Sequence, residues 1–173
     1  MGITTVGVRE IAAARNNKEQ LSTTFFSLLS LTLITTVVAI AALWIAMHTV
    51  PALIPFQDLL YVGIVKLIFN LFLVEWFFMG VEDFRYITNR SILVKCLYVL
   101  CVFLFVREAS DYKIYYVISV SMVVVNALVN LIYIRKFVHV TFSSINIRPY
   151  YKAFFIMGVY VLLTNVYTSL NPV

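Results

Sequence analysis

The chain has 173 residues, 62% of them apolar and 12% charged, and a formal net charge of +5. A water-soluble domain carries about 45–50% apolar and about 25% charged residues, so this chain lacks the polar side chains to cover a globule in water. Its Lys and Arg flank long apolar runs and form no polar face, which argues against nucleic acid as a partner and for the positive-inside bias of membrane proteins.

Residues 1–24 are polar and mixed in charge, unlike a signal peptide, and the apolar run after them is too long for an h-region. They read as a cytoplasmic segment. Val8, Ile11, Ala12 and Arg15 could give it a weakly amphipathic surface helix, and a plain connecting loop fits equally well. The rest, 25–173, reads as a transmembrane bundle with five apolar segments, at about 25–47, 59–80, 86–106, 114–134 and 153–170. A spanning helix needs about 20 residues, and only the fifth segment is slightly short of that. None of them alternates with period two, so a β-barrel is disfavoured. The expected fold class is all-α, a polytopic transmembrane helix bundle of about five spans. Connections at 48–58, 81–85, 107–113 and 135–152 are short. Pro51 and Pro55 stop the first span, and Asn146 and Pro149 are start signals for the fifth.

Basic residues sort by side. Arg9, Arg15, Lys18, Arg85, Arg90, Lys95, Arg135, Lys136, Arg148 and Lys152 fall on one face of the membrane. Arg107 and Lys113 fall on the other, offset by Glu108 and Asp111. The rule places the N-terminus in the cytoplasm and Val173 outside.

A charge near the bilayer centre costs about 2.5–3.5 kcal/mol on insertion scales. Lys66 and Glu75 both fall in the second span, about 13 Å apart and on opposite faces if that span is one helix. Glu75 and Arg90 have similar depth on either side of the turn at 81–83, so they are the expected pair, with Lys95 the alternative. Arg90 and Lys95 must lie within the third span, because 96–106 alone is too short to cross. Snorkelling to lipid phosphates is the plain alternative for Arg90 and Lys95, and snorkelling to the outer surface for Lys66. Asn70 lies one turn from Lys66. Asn126 and Asn130 share a face of the fourth span, and Thr164 and Thr168 a face of the fifth, beside Asn165. Such residues tie helices together or line a water-accessible cavity. Cys96 and Cys101 point about 140° apart on a helix and read as free thiols without metal spacing. His48 and His139 fall on opposite sides of the membrane, and no catalytic set or phosphate loop appears. The reading is therefore of a non-enzyme with no catalytic residue, no metal and no cofactor.

Several stretches carry a resemblance. The first runs Gly7-Val8-Arg9-Glu10-Ile11-Ala12, then Arg15 to Ser22. The second is Asn70, then Glu75-Trp76-Phe77-Phe78-Met79-Gly80-Val81-Glu82-Asp83-Phe84-Arg85-Tyr86-Ile87-Thr88. Arg90-Ser91-Ile92, Lys95, Asp111-Tyr112 and Asn130 to Lys136 complete it, with 75–95 the most specific part. Together they resemble the O-antigen (Wzx-type) oligosaccharide flippases, of the polysaccharide-exporter superfamily that also holds the multidrug-extrusion transporters. Met79 stands where that family often has Gln, and Asp83-Phe84 where it has Asp-Tyr.

The resemblance implies an undecaprenyl-diphosphate-linked oligosaccharide as substrate, moved between leaflets of a bacterial inner membrane. Membrane lipids would be its other partners, with room for further polysaccharide-assembly membrane proteins. It implies a relation to twelve-span transporters in which this chain covers the third to sixth spans and most of the seventh, without the first two. Lys66, Asn70, Glu75, Arg90, Lys95, Asn126 and Asn130 are the candidate substrate-binding or coupling residues. Two alternatives stand beside it: a non-transporting assembly subunit, and a membrane-embedded glycan polymerase or acyltransferase.

Overall fold

The structure, a computed structural model, describes residues 2–139 and 145–170. Residues 140–144 of the fourth connection, and 171–173 at the end of the expected bundle, lie outside them. Among the described residues the chain is helical without strands. Its helices are α1 (Gly2–Ala14), α2 (Lys18–Thr49), α3 (Gln57–Asn70), α4 (Glu75–Gly80), α5 (Phe84–Phe105), α6 (Tyr112–Ile134) and α7 (Tyr151–Leu170). Five stretches are long and apolar enough to cross a membrane: α2, Pro51–Gly80, α5, α6 and α7.

Large apolar side chains cover the outside. Phe103 is 84% exposed, Leu170 77% and Phe155 70%. Water would not tolerate that much apolar surface, whereas lipid is the solvent that accepts it. Hydroxyls inside the helices are satisfied locally. Ser22, Ser27, Ser30 and Thr32 in α2 each donate to the carbonyl four residues back, at 2.8–3.0 Å. Thr164 and Thr168 do likewise in α7. Both threonines are exposed on α7.

The chain forms two compact units. The first takes in the described residues of 1–32, 75–84 and 135–173. Here α1 is a helix and not a plain loop, with one face packed inward while Thr4, Thr5, Arg9 and Ala13 stay exposed. Ile11 is fully buried, with Val6 and Ala14 nearly so. The reason is a pair of glycine notches. A Cβ on Gly7 would lie 2.6 Å from the Trp76 ring, and one on Gly80 would lie 2.6 Å from Ile11 Cβ. Each helix therefore offers a glycine to the other's large side chain, and the backbones approach closely. Phe25 of α2 closes the cluster, stacked 5.7 Å from Trp76 and edge-on 5.2 Å from Phe77. The chain after α6 is tied back to α2 by two amides. His139 N–H donates to Ser22 Oγ at 3.2 Å and Asn146 N–H to Ser27 Oγ at 3.1 Å.

The second unit comprises Leu33–Val74 and Arg85–Ile134. Asp58 pairs with Lys113 at 3.3 Å at the starts of α3 and α6, and Gly63 lies against Tyr116 further along. These two helices thus run side by side in the same direction. Contacts of Tyr98 with Tyr115 and of Tyr86 with Tyr133 set α5 antiparallel to α6.

The expected second span is not one helix. After α3 the chain tightens into a 3-10 turn at Leu71–Leu73, and Val74 sits at φ 29°, ψ 33° before α4 begins. A left-handed conformation is unfavourable for a β-branched residue. The spacing of Lys66 and Glu75 on a single continuous helix therefore does not hold.

Candidate functional site

The break at 71–74 leaves carbonyls in a membrane-depth segment without their usual helical donors. Such groups need a partner, because lipid offers none. Asn130 of α6 supplies it. Its Nδ2 donates to the Phe72 carbonyl at 3.4 Å and to the Leu73 carbonyl. Its Oδ1 accepts from Tyr86 Oη at 2.9 Å and from Arg90 Nη1. The amide orientation follows from chemistry: a guanidinium only donates and a carbonyl only accepts. Asn130 is fully buried and Arg90 is 5% exposed. All four hydrogen-bonding positions of the amide are thereby in use.

Helix spacing assembles the rest. Tyr86 lies one turn before Arg90 on α5, and Tyr133 nearly one turn after Asn130 on α6. The two rings stack at 3.7 Å with planes 6° apart. The Arg90 guanidinium carbon lies 5.6 Å from the Tyr86 centroid, within range of a cation–π attraction. A guanidinium in a span thus has a neutral acceptor and an aromatic face around it.

Of the expected site residues, the structure brings Arg90 and Asn130 together directly. Asn126, one turn before Asn130, has a buried Oδ1 with no hydrogen-bond partner. Lys66 is half-buried, its Nζ 5.9 Å over the Tyr116 ring, and Asn70 is exposed at the end of α3. Lys95 is exposed beside a groove of about 480 Å³ whose other walls are Cys96, Val99, Leu100 and Phe103. Glu75 opens α4 in the first unit, whereas Arg90 belongs to the second. Sequence reasoning missed Tyr86, Tyr133, Tyr116 and the two backbone carbonyls. For the tyrosines a signal existed: Tyr86 and Tyr133 sit at helical spacing from polar residues already singled out.

Long apolar helices, a broken span and a guanidinium buried among them define the chain as a multi-pass α-helical membrane protein. The model of the family described as polysaccharide biosynthesis protein matches residues 1–172. The chain belongs to that family, and with it to polysaccharide biosynthesis. No curated protein and no solved structure matches the chain.

Proposed function

We propose that the chain is part of a transporter that moves undecaprenyl-diphosphate-linked oligosaccharide across a bacterial inner membrane, its N-terminus cytoplasmic. Family membership over nearly the whole length supports a place in glycan export. The single structural observation that carries the reading is the buried Arg90. A cation at such depth is expensive and marks a functional position by default. Discontinuous spans with polar groups at the break are a recurrent design of transporter sites.

The roles divide by chemistry. Arg90, Lys95 and Lys66 supply positive charge for the diphosphate. Asn126 offers its unmet acceptor to a sugar hydroxyl, and Asn70 adds a polar group one turn beyond Lys66. Glu75 serves as the coupling carboxylate. Asn130, saturated in this conformation, binds substrate only by releasing one of its bonds, so it is the natural reporter of alternating access.

The test is glycan export in a flippase-deficient strain carrying a complete transporter with these residues. Arg90→Ala is expected to reduce export at unchanged membrane abundance, with Arg90→Lys intermediate, because a point charge cannot reproduce a guanidinium's geometry. Full export by Arg90→Ala would remove the residue from the mechanism.

A further inference from the structure

A second polar feature lies in the first unit, away from Arg90 and Asn130. Arg15, Lys18, Glu82 and Lys136 line a pocket of about 480 Å³, with Leu21 and Phe137 among its apolar walls. The volume is that of a small-ligand site. Three cations and one carboxylate are among the side chains that line it. The N-terminus of α2 does not create a preference for anions. Asn17 Oδ1 already accepts from the Glu19 and Gln20 amides at 3.0 and 3.2 Å.

Glu82 is the unusual member. It stands at φ 64° just past α4. Its N–H donates to the Met79 carbonyl at 3.1 Å, and Asp83 N–H donates to the Phe78 carbonyl at 3.0 Å. This is the closure of a helix end at which glycine is favoured. A glutamate held there instead places its carboxylate 2.5 Å from Arg15 Nη1. The pair is open to solvent, with side-chain exposures of 42% and 61%. Exposed pairs of this kind contribute little. A phosphodiester presents two non-bridging oxygens to a guanidinium, as a carboxylate does, so it can take the place of Glu82 on Arg15.

We propose that this pocket binds the phosphate of an anionic phospholipid headgroup, with Glu82 acting as the resident competitor for Arg15. Phospholipid is favoured over a free anion by the apolar walls, which an inorganic ion cannot use. Basic pockets beside spanning helices are a recurrent lipid-headgroup site. The inference requires only the membrane setting and is independent of what the chain transports.

The experiment is native mass spectrometry of the full chain in mild detergent. It is titrated separately with phosphatidylglycerol, phosphatidylcholine and inorganic pyrophosphate. The unmodified chain is expected to retain phosphatidylglycerol over phosphatidylcholine. Lys18→Gln with Lys136→Gln is expected to weaken phosphatidylglycerol about fivefold per lysine, roughly twenty-five-fold together. Arg107→Gln, outside the pocket, should leave binding unchanged, and an equal loss there would reveal general charge attraction and overturn the proposal. Glu82→Gln should tighten phosphatidylglycerol, because it releases Arg15, and unchanged or weaker binding would overturn the competitor role. Pyrophosphate binding as strongly as phosphatidylglycerol would show a free-anion site and sink the lipid assignment. Helical content by circular dichroism, equal across the variants, separates lost binding from lost folding.

Discussion

The two helix contacts on either side of Val74 are held by opposite means. On the α4 side, Gly7 and Gly80 let α1 and α4 close on Trp76 and Ile11 through shape alone. On the α3 side, Asn130 joins α6 to a broken backbone and to α5 through four polar contacts. In lipid there is no hydrophobic drive between helices, so association rests on close packing or on interhelical hydrogen bonds. These two contacts use one device each. The first tolerates no added atom, and the second tolerates no lost polar group. Each unit also holds one tryptophan, Trp76 and Trp44 respectively, and Trp76 sits in the first contact itself.

The largest effect is expected at the polar contact. Asn130→Leu keeps the bulk but removes the acceptor used by Arg90 and the donor used by two carbonyls. The expected loss is about 3 kcal/mol, read as a lower unfolding midpoint in a denaturing-detergent titration. Asn130→Asp sharpens the point. It keeps an acceptor for Arg90 and Tyr86 and loses both donors, so it should fall between the parent and Asn130→Leu. If Asn130→Leu unfolds with the parent, Asn130 does not hold the break.

The packing contact comes next. Gly80→Ala would set a methyl 2.6 Å from Ile11 Cβ, an atom that cannot swing aside. Overpacking of this kind costs about 1–3 kcal/mol, while alanine returns up to about 1 kcal/mol of helix propensity. A net loss of about 1–2 kcal/mol is expected, reported by Trp76 fluorescence. Stabilisation by Gly80→Ala would mean that propensity, not packing, governs the α1–α4 contact.

This comparison also explains what was legible in advance. The helices could be read because span length and apolar composition are local properties, and lipid enforces both. Cys96 and Cys101 read as free thiols and are free. The break at Leu71–Val74 could not be read. The segment is Leu-Phe-Leu-Val, with neither glycine nor proline, and the group that satisfies its last carbonyl is a side chain 57 positions further on from Leu73. The close packing of α1 on α4 was hidden for a related reason. Gly7 and Gly80 carry no periodic signal of their own, and their meaning lies in the large residue that each one faces. Arg90 and Asn130 were singled out for their polarity in apolar spans, which is sound physics. Their mutual contact required knowing the offset between α5 and α6.

A smaller effect is expected at Glu82, at the edge of the first unit. Glu82→Gly removes an unfavourable left-handed residue, a gain of about 1 kcal/mol. It also removes the ion pair with Arg15, an exposed contact contributing about 0–1 kcal/mol. The balance should be neutral to slightly stabilising, unlike the loss at Gly80 two positions earlier. A clear destabilisation would show that the Arg15 pair, and not the helix closure, orders this turn.

The smallest expected effect lies outside the spans, in the second unit, where a polar contact meets water. Asp111 Oδ2 accepts from the Arg107 and Glu108 amides at 3.0 and 3.1 Å. These backbone hydrogen bonds, Arg107 first, hold its carboxyl below the ordinary carboxylate value of 3.8. The sign follows from linkage. A depressed folded-state value means that the ionised form favours the ordered turn, so the contribution is complete above the ordinary value. It is lost as pH falls through the lowered one. Amide exchange at Arg107 and Glu108, corrected for its intrinsic pH dependence, should therefore accelerate only on the acid side of that range. In Asp111→Asn, which accepts without charge, the acid step should vanish and protection at neutral pH should drop modestly. An acid step surviving in Asp111→Asn would assign it to another carboxylate, of which Glu108, accepting from Ser110 Oγ at 3.3 Å, is the nearest in the turn. The buried contact at Asn130 has no ionisable acceptor and should be indifferent to the same titration. That contrast separates a polar contact maintained by charge in water from one maintained by the absence of water.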